Sequence, residues 1–379
     1  MPLRNVLRAP RRTVLTAAGV GASITALVAT LGLLDSFTAA IDRGVAEAAK
    51  GDPGRISVAL DTYYPVSSPE VTAVIALPGV ATADPTLSVP ASARVGTGEP
   101  LDLLLELLDF SNAQWTPTII DAIPDGPTSG LVLTAKAARD LGVEPGDTVV
   151  LRHPRLGLAG IELVDTDMVV AAVHPAPIRS FAFLDHSFAA EFGLAGIANG
   201  LQVTPAAGTT RDELQRSIFD LAGIGSAQPV ARVGEVFDSA LDQFVGVLYI
   251  AEGAVLVLAL LIAFNSTRIS VDERRREHAT MLAFGMRLRT LIGIVVGEAV
   301  VIGVLATLVG LAAGVSVQRW MLQTITGQTV PEFDLPVVLA PTSIAVAFAV
   351  GVASTALAPL FVIGRLRRMN LPDTLRVME

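Results

Sequence analysis

The sequence predicts an α-helical membrane protein with four transmembrane helices and one large domain of mixed α/β structure outside the membrane. Three observations carry this. Residues 14–34, 244–264, 291–317 and 343–363 are almost wholly apolar, and each has about the 20 residues a helix needs to cross a hydrocarbon layer of ~30 Å. The 207 residues from 36 to 242 are far more polar and long enough for a core of their own. The formal charge of −9 is also uneven: residues 36–242 hold 12 basic and 26 acidic residues, whereas segments 1–13, 265–290 and 364–379 hold 14 arginines and 5 acids. Basic residues beside spans mark the cytoplasmic side. Four crossings put all three arginine-rich segments inside and 36–242 outside, with both termini cytoplasmic.

The elements follow in chain order. Residues 1–13 alternate Leu3, Val6 and Leu7 with Arg4, Arg8, Arg11 and Arg12, the pattern of a short interfacial helix, and Pro10 separates it from the first span, 14–35. Arg11-Arg12-Thr13-Val14-Leu15 also resembles a twin-arginine export signal, but the apolar run exceeds the ~7–15 residues of a signal core. In the domain 36–242, residues 35–50 continue the first span as a stalk and 233–243 form a second stalk leading into the span 243–265. Strands are expected at 55–60, 87–93 and 101–108. Thr134 caps a helix to Asp140 that Gly142 ends. Pro145-Gly146-Asp147 then turns the chain into strand 148–152, with another at 168–173, and residues 210–222 are amphipathic. The loop 266–290 is cytoplasmic. The third span, 291–317, is joined by a short outer loop, 318–342, to the fourth, 343–364. Pro359 breaks that helix near its end, and Arg365, Arg367 and Arg368 open the cytoplasmic tail, 365–379.

Side chains inside the spans narrow the possibilities. Gly303, Gly310 and Gly314 fall within an arc of roughly 40° at 100° per residue, with Gly293 and Gly297 on its flank. Such a face lets helix backbones approach closely in lipid. Glu252 and Glu298 are carboxylates within apolar runs, where charge is costly. A structural or interfacial role outweighs proton relay, since no basic residue lies in the spans to pair with them.

The loop after the second span is charged as far as His278. Beyond it Met281, Leu282, Phe284 and Leu288 form an apolar strip, and Gly285 interrupts the helix or permits a sharp turn. Its sequence, ERRREHATMLAFGMRLRTLIGIVVGE, resembles the corresponding region of ABC-transporter permeases of the FtsX/MacB/LolC type, through Glu273, Arg274, Glu277, Leu282, Ala283, Phe284, Gly285, Met286 and Glu298. His278 departs from the family's aliphatic residue. The ending, Leu371-Pro372-Asp373-Thr374-Leu375-Arg376, and the opening, LRNVLRAPRRTVLTAAGV, are similar to that family's as well. The resemblance implies that residues 274–289 are a coupling helix for a cytoplasmic ABC ATPase, with Glu273, Arg274, Glu277, Leu282, Phe284, Gly285, Met286 and Arg287 at the contact. It implies a porter-like outer module with an attached smaller lobe, a second permease copy, and a bacterial plasma membrane location.

No catalytic constellation is visible. With no cysteine there is no thiolate metal site or cysteine nucleophile. His153, His174, His186 and His278 are scattered, and Asp165-Thr166-Asp167 reads as a solvated turn rather than a cation site. No P-loop is present, so ATP and Mg²⁺ belong to a partner chain and this one is expected to bind no cofactor. The expected activity is export or extraction of an amphipathic, lipid-like substrate. The alternatives are control of an extracellular protein such as a cell-wall hydrolase, or an ATPase-independent membrane adaptor. No nucleic-acid partner is expected.

Overall fold

A computed structural model describes residues 10–157, 160–230 and 275–359, with isolated positions between 246 and 273. It forms two units. One, from residues 1–37, 241–325 and 336–379, is helical in most of its described residues. The other is α/β, from 38–240 and 326–335. The stretch 1–9, the stalk 233–243, Glu252, Arg274 and the tail 365–379 lie outside the described residues.

Helix α1, Pro10–Ala48, is one run of 39 residues with proline at its start, where the missing N–H costs nothing. Ser23, Thr25, Thr30 and Ser36 each return a hydroxyl bond to the carbonyl four residues back (2.7–3.3 Å), so these polar groups are satisfied within the helix. Helix α5, Arg275–Ala283, precedes α6, Leu288–Thr324, which a π-helical turn, Ile325–Thr329, extends. Helix α7 is Pro341–Leu357. The three intervening helices, Pro69–Ile75 (α2), Ala135–Leu141 (α3) and Arg211–Phe219 (α4), belong to the α/β unit. Among the described residues, two helices are long and apolar enough to cross a membrane, Ala17–Ala48 and Leu288–Thr329. The apolar helices Gly253–Ile262 and Pro341–Leu357 are shorter. The third helix therefore runs beyond the expected 291–317 at both ends. Gln318, assigned from sequence to the outer loop, is a fully buried helical residue.

The α/β unit is one ten-stranded sheet serving two cores. Strand β1 (Ile56–Pro65), α2 (Pro69–Ile75), the first half of β2 (Val80–Arg94), β9 (Ile197–Pro205), α4 (Arg211–Phe219) and β10 (Ile224–Pro229) make a split βαβ module with strand order β10-β1-β9-β2. Ile56, Val58 and Leu60 alternate inward and join Val71, Val74, Leu201, Leu214 and Ile218, the two-residue period of a half-buried strand. A capping box of Thr210 and Glu213 starts α4.

Between the halves of this module the chain builds a second lobe. It comprises β3 (Leu101–Leu108), β4 (Asp121–Ala122), β5 (Leu131–Thr134), α3 (Ala135–Leu141), β6 (Thr148–Gly157), β7 (Gly160–His174) and β8 (Phe181–Asp185). Strand β2 joins the lobes: residues 80–86 pair with β9 and residues 87–93 with β3. The expected smaller, attached lobe is instead inserted, and its core, built on Leu87, Leu105, Leu131, Leu133, Leu151 and Phe192, is the larger of the two. Helix α3 has the expected caps, Thr134 accepting from Ala137 N–H and Gly142 left-handed at φ 69°.

Candidate coupling site

In the helical unit, α5 ends in a Schellman turn. Gly285 N–H donates to Leu282 O (3.0 Å) and Met286 N–H to Met281 O (3.1 Å), and Gly285 lies at φ 86°. These are the two reverse bonds that satisfy a helix's last carbonyls, with the left-handed residue that glycine favours. Arg287 then starts α6 in extended conformation. Met281, Leu282, Met286, Leu288, Ile292 and Val295 pack around buried Leu291. Phe284 departs from the strip expected for it: helical periodicity stops at Ala283, and the residue is 87% exposed. Glu273, Glu277 and Arg287 are exposed. The turn thus presents one uncovered aromatic ring among charged groups, beside a packed apolar base.

The glycines of α6 face two neighbours. A Cβ on Gly310 would lie 2.8 Å from Gly21 O and Ile24 Cβ, and one on Gly314 would lie 2.6 Å from Val28 Cβ, all on α1. Gly303 instead meets Thr355 of α7, and Gly351 of α7 meets Thr307. Gly293, on the flank, meets nothing within 4 Å. Glu298 is buried at 9% exposure and is not without a partner. Further along, the Gln318 amide donates to Gly32 O (2.7 Å) and Val338 O (2.7 Å), and Asp35 accepts from Ala340 N–H (2.7 Å). Sequence reading missed this buried polar knot, because a glutamine at the end of an apolar run looks like a boundary.

In the α/β unit, the end of α1 is held from the side. Trp115 Nε1 donates to Glu47 O (3.0 Å), Thr118 N–H to Glu47 Oε1 (2.6 Å) and Lys50 Nζ to Thr116 O (3.2 Å). Arg55, 4% exposed, donates to Ala48 O (2.6 Å) while its guanidinium sits 4.7 Å from the centre of the Trp115 ring. A cation there complements the negative end of the helix dipole and stacks on the indole. Burial lowers the Arg55 pKa, against the opposing fields of Glu106, Asp52 and Asp84.

A cleft of about 110 Å³ is lined by Asp84, Glu106, Asp109, Asn112, Trp115 and Gln202. Asp84 is engaged by Gln114 N–H, and Asp109 by Ser111 and Asn112 N–H (2.9–3.0 Å). Burial raises the Glu106 pKa, opposed by Gln202 and Arg55. Asp165 is not in a turn. It lies in β7, where hydrogen bonds from Arg152 and then Arg94 hold its pKa down at about 2. Among the described residues no group of three His, Asp or Glu could hold a metal.

His153 is a core residue that stacks on Phe192 and bonds Thr166 Oγ1 at 2.9 Å. His174 is fully buried, edge-on to Phe183 at 4.9 Å. Burial lowers its pKa to about 4, opposed by the Phe181 backbone. A folded-state pKa below the unfolded value of ~6.5 gives stability that is complete above pH ~6.5 and is lost as pH falls towards 4, on the order of 3 kcal/mol in all. The melting temperature of wild type minus that of His174→Leu should therefore hold steady above pH 6.5 and fall on acidification to pH 4. Thermal unfolding of the full chain in detergent checks this, and a gap that does not change with pH contradicts it.

Residues 13–221 match the family model described as a MacB-like periplasmic core domain, and residues 249–371 match that of the FtsX-like permease C-terminal region. Among solved structures, the extracellular domain of the noncanonic ABC-type transporter YknZ from Gram-positive bacteria is 14% identical, with a TM-score of 0.30 over 45% of this chain and 98% of that one. The periplasmic region of MacB from Actinobacillus actinomycetemcomitans is 10% identical, with a TM-score of 0.32 over 51% and 97%. No curated protein matches the sequence.

Proposed function

Because the chain belongs to the FtsX/MacB-type family of ABC-transporter permeases, we propose that it is the membrane subunit of an ATP-driven, mechanically coupled transporter whose ATPase is a separate polypeptide. The permease component of this family is generally non-catalytic. In this reading the chain crosses a plasma membrane four times with both termini in the cytoplasm, and it works as a dimer. Closure of the ATPases moves α5, the long helices carry that motion, and the outer domain acts on an amphipathic substrate for export or extraction.

The observation that carries the proposal is the Gly285 turn. It joins a short charged helix to α6, a helix of 37 residues or roughly 55 Å, and leaves Phe284 uncovered at the junction. An exposed aromatic residue at a hydrogen-bonded elbow is the kind of anchor that a partner's pocket buries. The transmission path is supported by α1, whose last turns are fixed to the domain by Trp115, Arg55 and Lys50.

The chain has no cysteine, so Phe284→Cys provides a single labelling site. A photo-crosslinker placed there in native membranes should give an adduct with a P-loop-bearing ATPase, and adducts to lipid alone would overturn the reading. A second output, control of an extracytoplasmic protein, is favoured by the β6–β7 hairpin, which exposes Leu156 (50%), Ile161 (77%) and Leu163 (73%).

A further inference from the structure

We propose that the loop between α6 and α7 is a second drive point on the outer domain, clasped by Arg179 and separate from the stalk of α1. Residues 326–335 leave the helical unit and belong to the α/β unit. They join it by backbone pairing: Arg179 N–H donates to Glu332 O (2.7 Å), Asp334 N–H donates to Pro177 O (2.7 Å), and Ile178 and Phe333 form an antiparallel bridge. Side chains close the clasp. The Arg179 guanidinium pairs with Glu332 and also with Asp140 (3.1 Å), and Arg139 pairs with Asp334 at 2.6 Å. Thr134 Oγ1 donates to Arg179 O at 3.2 Å, tying the same residue to the start of α3.

The Arg179 side chain is only 17% exposed. One planar fork bridging two carboxylates from distant segments fixes the loop in register in a way a lysine would not. The chain runs directly from α6 into this loop and from the loop towards α7. Displacement of these helices therefore reaches the domain through the clasp, whereas α1 reaches it through a continuous helix. Arg179 is accordingly a positioning residue for transmission.

This inference rests on the permease reading, so its test has two arms. In the full-length wild type, amide exchange should be slow at Arg179 and Asp334. Arg179→Ala should speed it at least tenfold, and Arg179→Lys should fall between. In proteoliposomes with the ATPase, Arg179→Ala should lower coupled turnover at least fivefold, and an Ile178→Cys/Phe333→Cys disulfide in the same chain should restore it. Fast exchange at 326–335 in wild type, or full turnover by Arg179→Ala despite a released loop, would overturn the proposal. Wild type that responds to no ATPase defeats the permease reading instead, and exchange alone then decides whether the clasp exists.

Discussion

Gly285→Pro should abolish stimulation of the partner ATPase while leaving the chain inserted in the membrane. Proline fixes φ near −65°, and the turn requires 86° at this position. The substitution also deletes the N–H that bonds Leu282 O. A Cβ at Gly285 would meet nothing within 4 Å, so the alanine variant tests the backbone conformation without a steric neighbour. The effect is therefore a matter of backbone conformation, and it predicts an order. Gly285→Asn should keep most of the stimulation, since asparagine tolerates the left-handed region. Gly285→Ala should be intermediate, at a cost of roughly 1–2 kcal/mol for the turn. Gly285→Pro should be silent. The measurement is ATP hydrolysis in reconstituted vesicles, with membrane-extracted protein as the control for insertion. Equal stimulation by all three variants would remove the turn from the mechanism.

The elements that sequence reading placed well are those whose chemistry is local. Thr134 and Gly142 delimit α3 through bonds three to five residues long, and strand β3 matches its alternating leucines. Features that depend on distant partners were not legible. Nothing beside Glu332 and Asp334 in the sequence names a partner, yet they pair with Arg179 and Arg139 across 153 and 195 residues. Asp165 read as part of a turn because acidic pairs favour turns. In the fold it lies in a strand, and Arg94 and Arg152 make that place tolerable. Phe284 fitted an apolar strip only if the helix continued past it. A glycine can end a helix or sit within one, and sequence periodicity does not decide which.

The glycine face of α6 gives the second large expectation. Gly310→Leu should leave little folded protein in the membrane, because lipid offers no hydrophobic drive to hold helices together and contact depends on close packing. Smaller changes should separate by what stands in the way. Gly314→Ala meets chiefly the Val28 side chain at 2.6 Å, whereas Gly310→Ala meets both Ile24 and the backbone carbonyl of Gly21 at 2.8 Å. Each should cost about 1–3 kcal/mol by overpacking. The Cβ atoms of Val28 and Ile24 are removed only by glycine, and the Gly21 carbonyl cannot be removed at all, so Val28→Gly should rescue Gly314→Ala more completely than Ile24→Gly rescues Gly310→Ala. Melting temperatures in detergent for the two double-mutant cycles give the comparison. Gly293→Ala, which meets open space, should be neutral or stabilising by about 0.5–1 kcal/mol. If Gly310→Leu melts with wild type, or if the two rescues are equal, α1 does not pack on α6 through these glycines, and motion at the Gly285 turn would lack its route from α6 to α1.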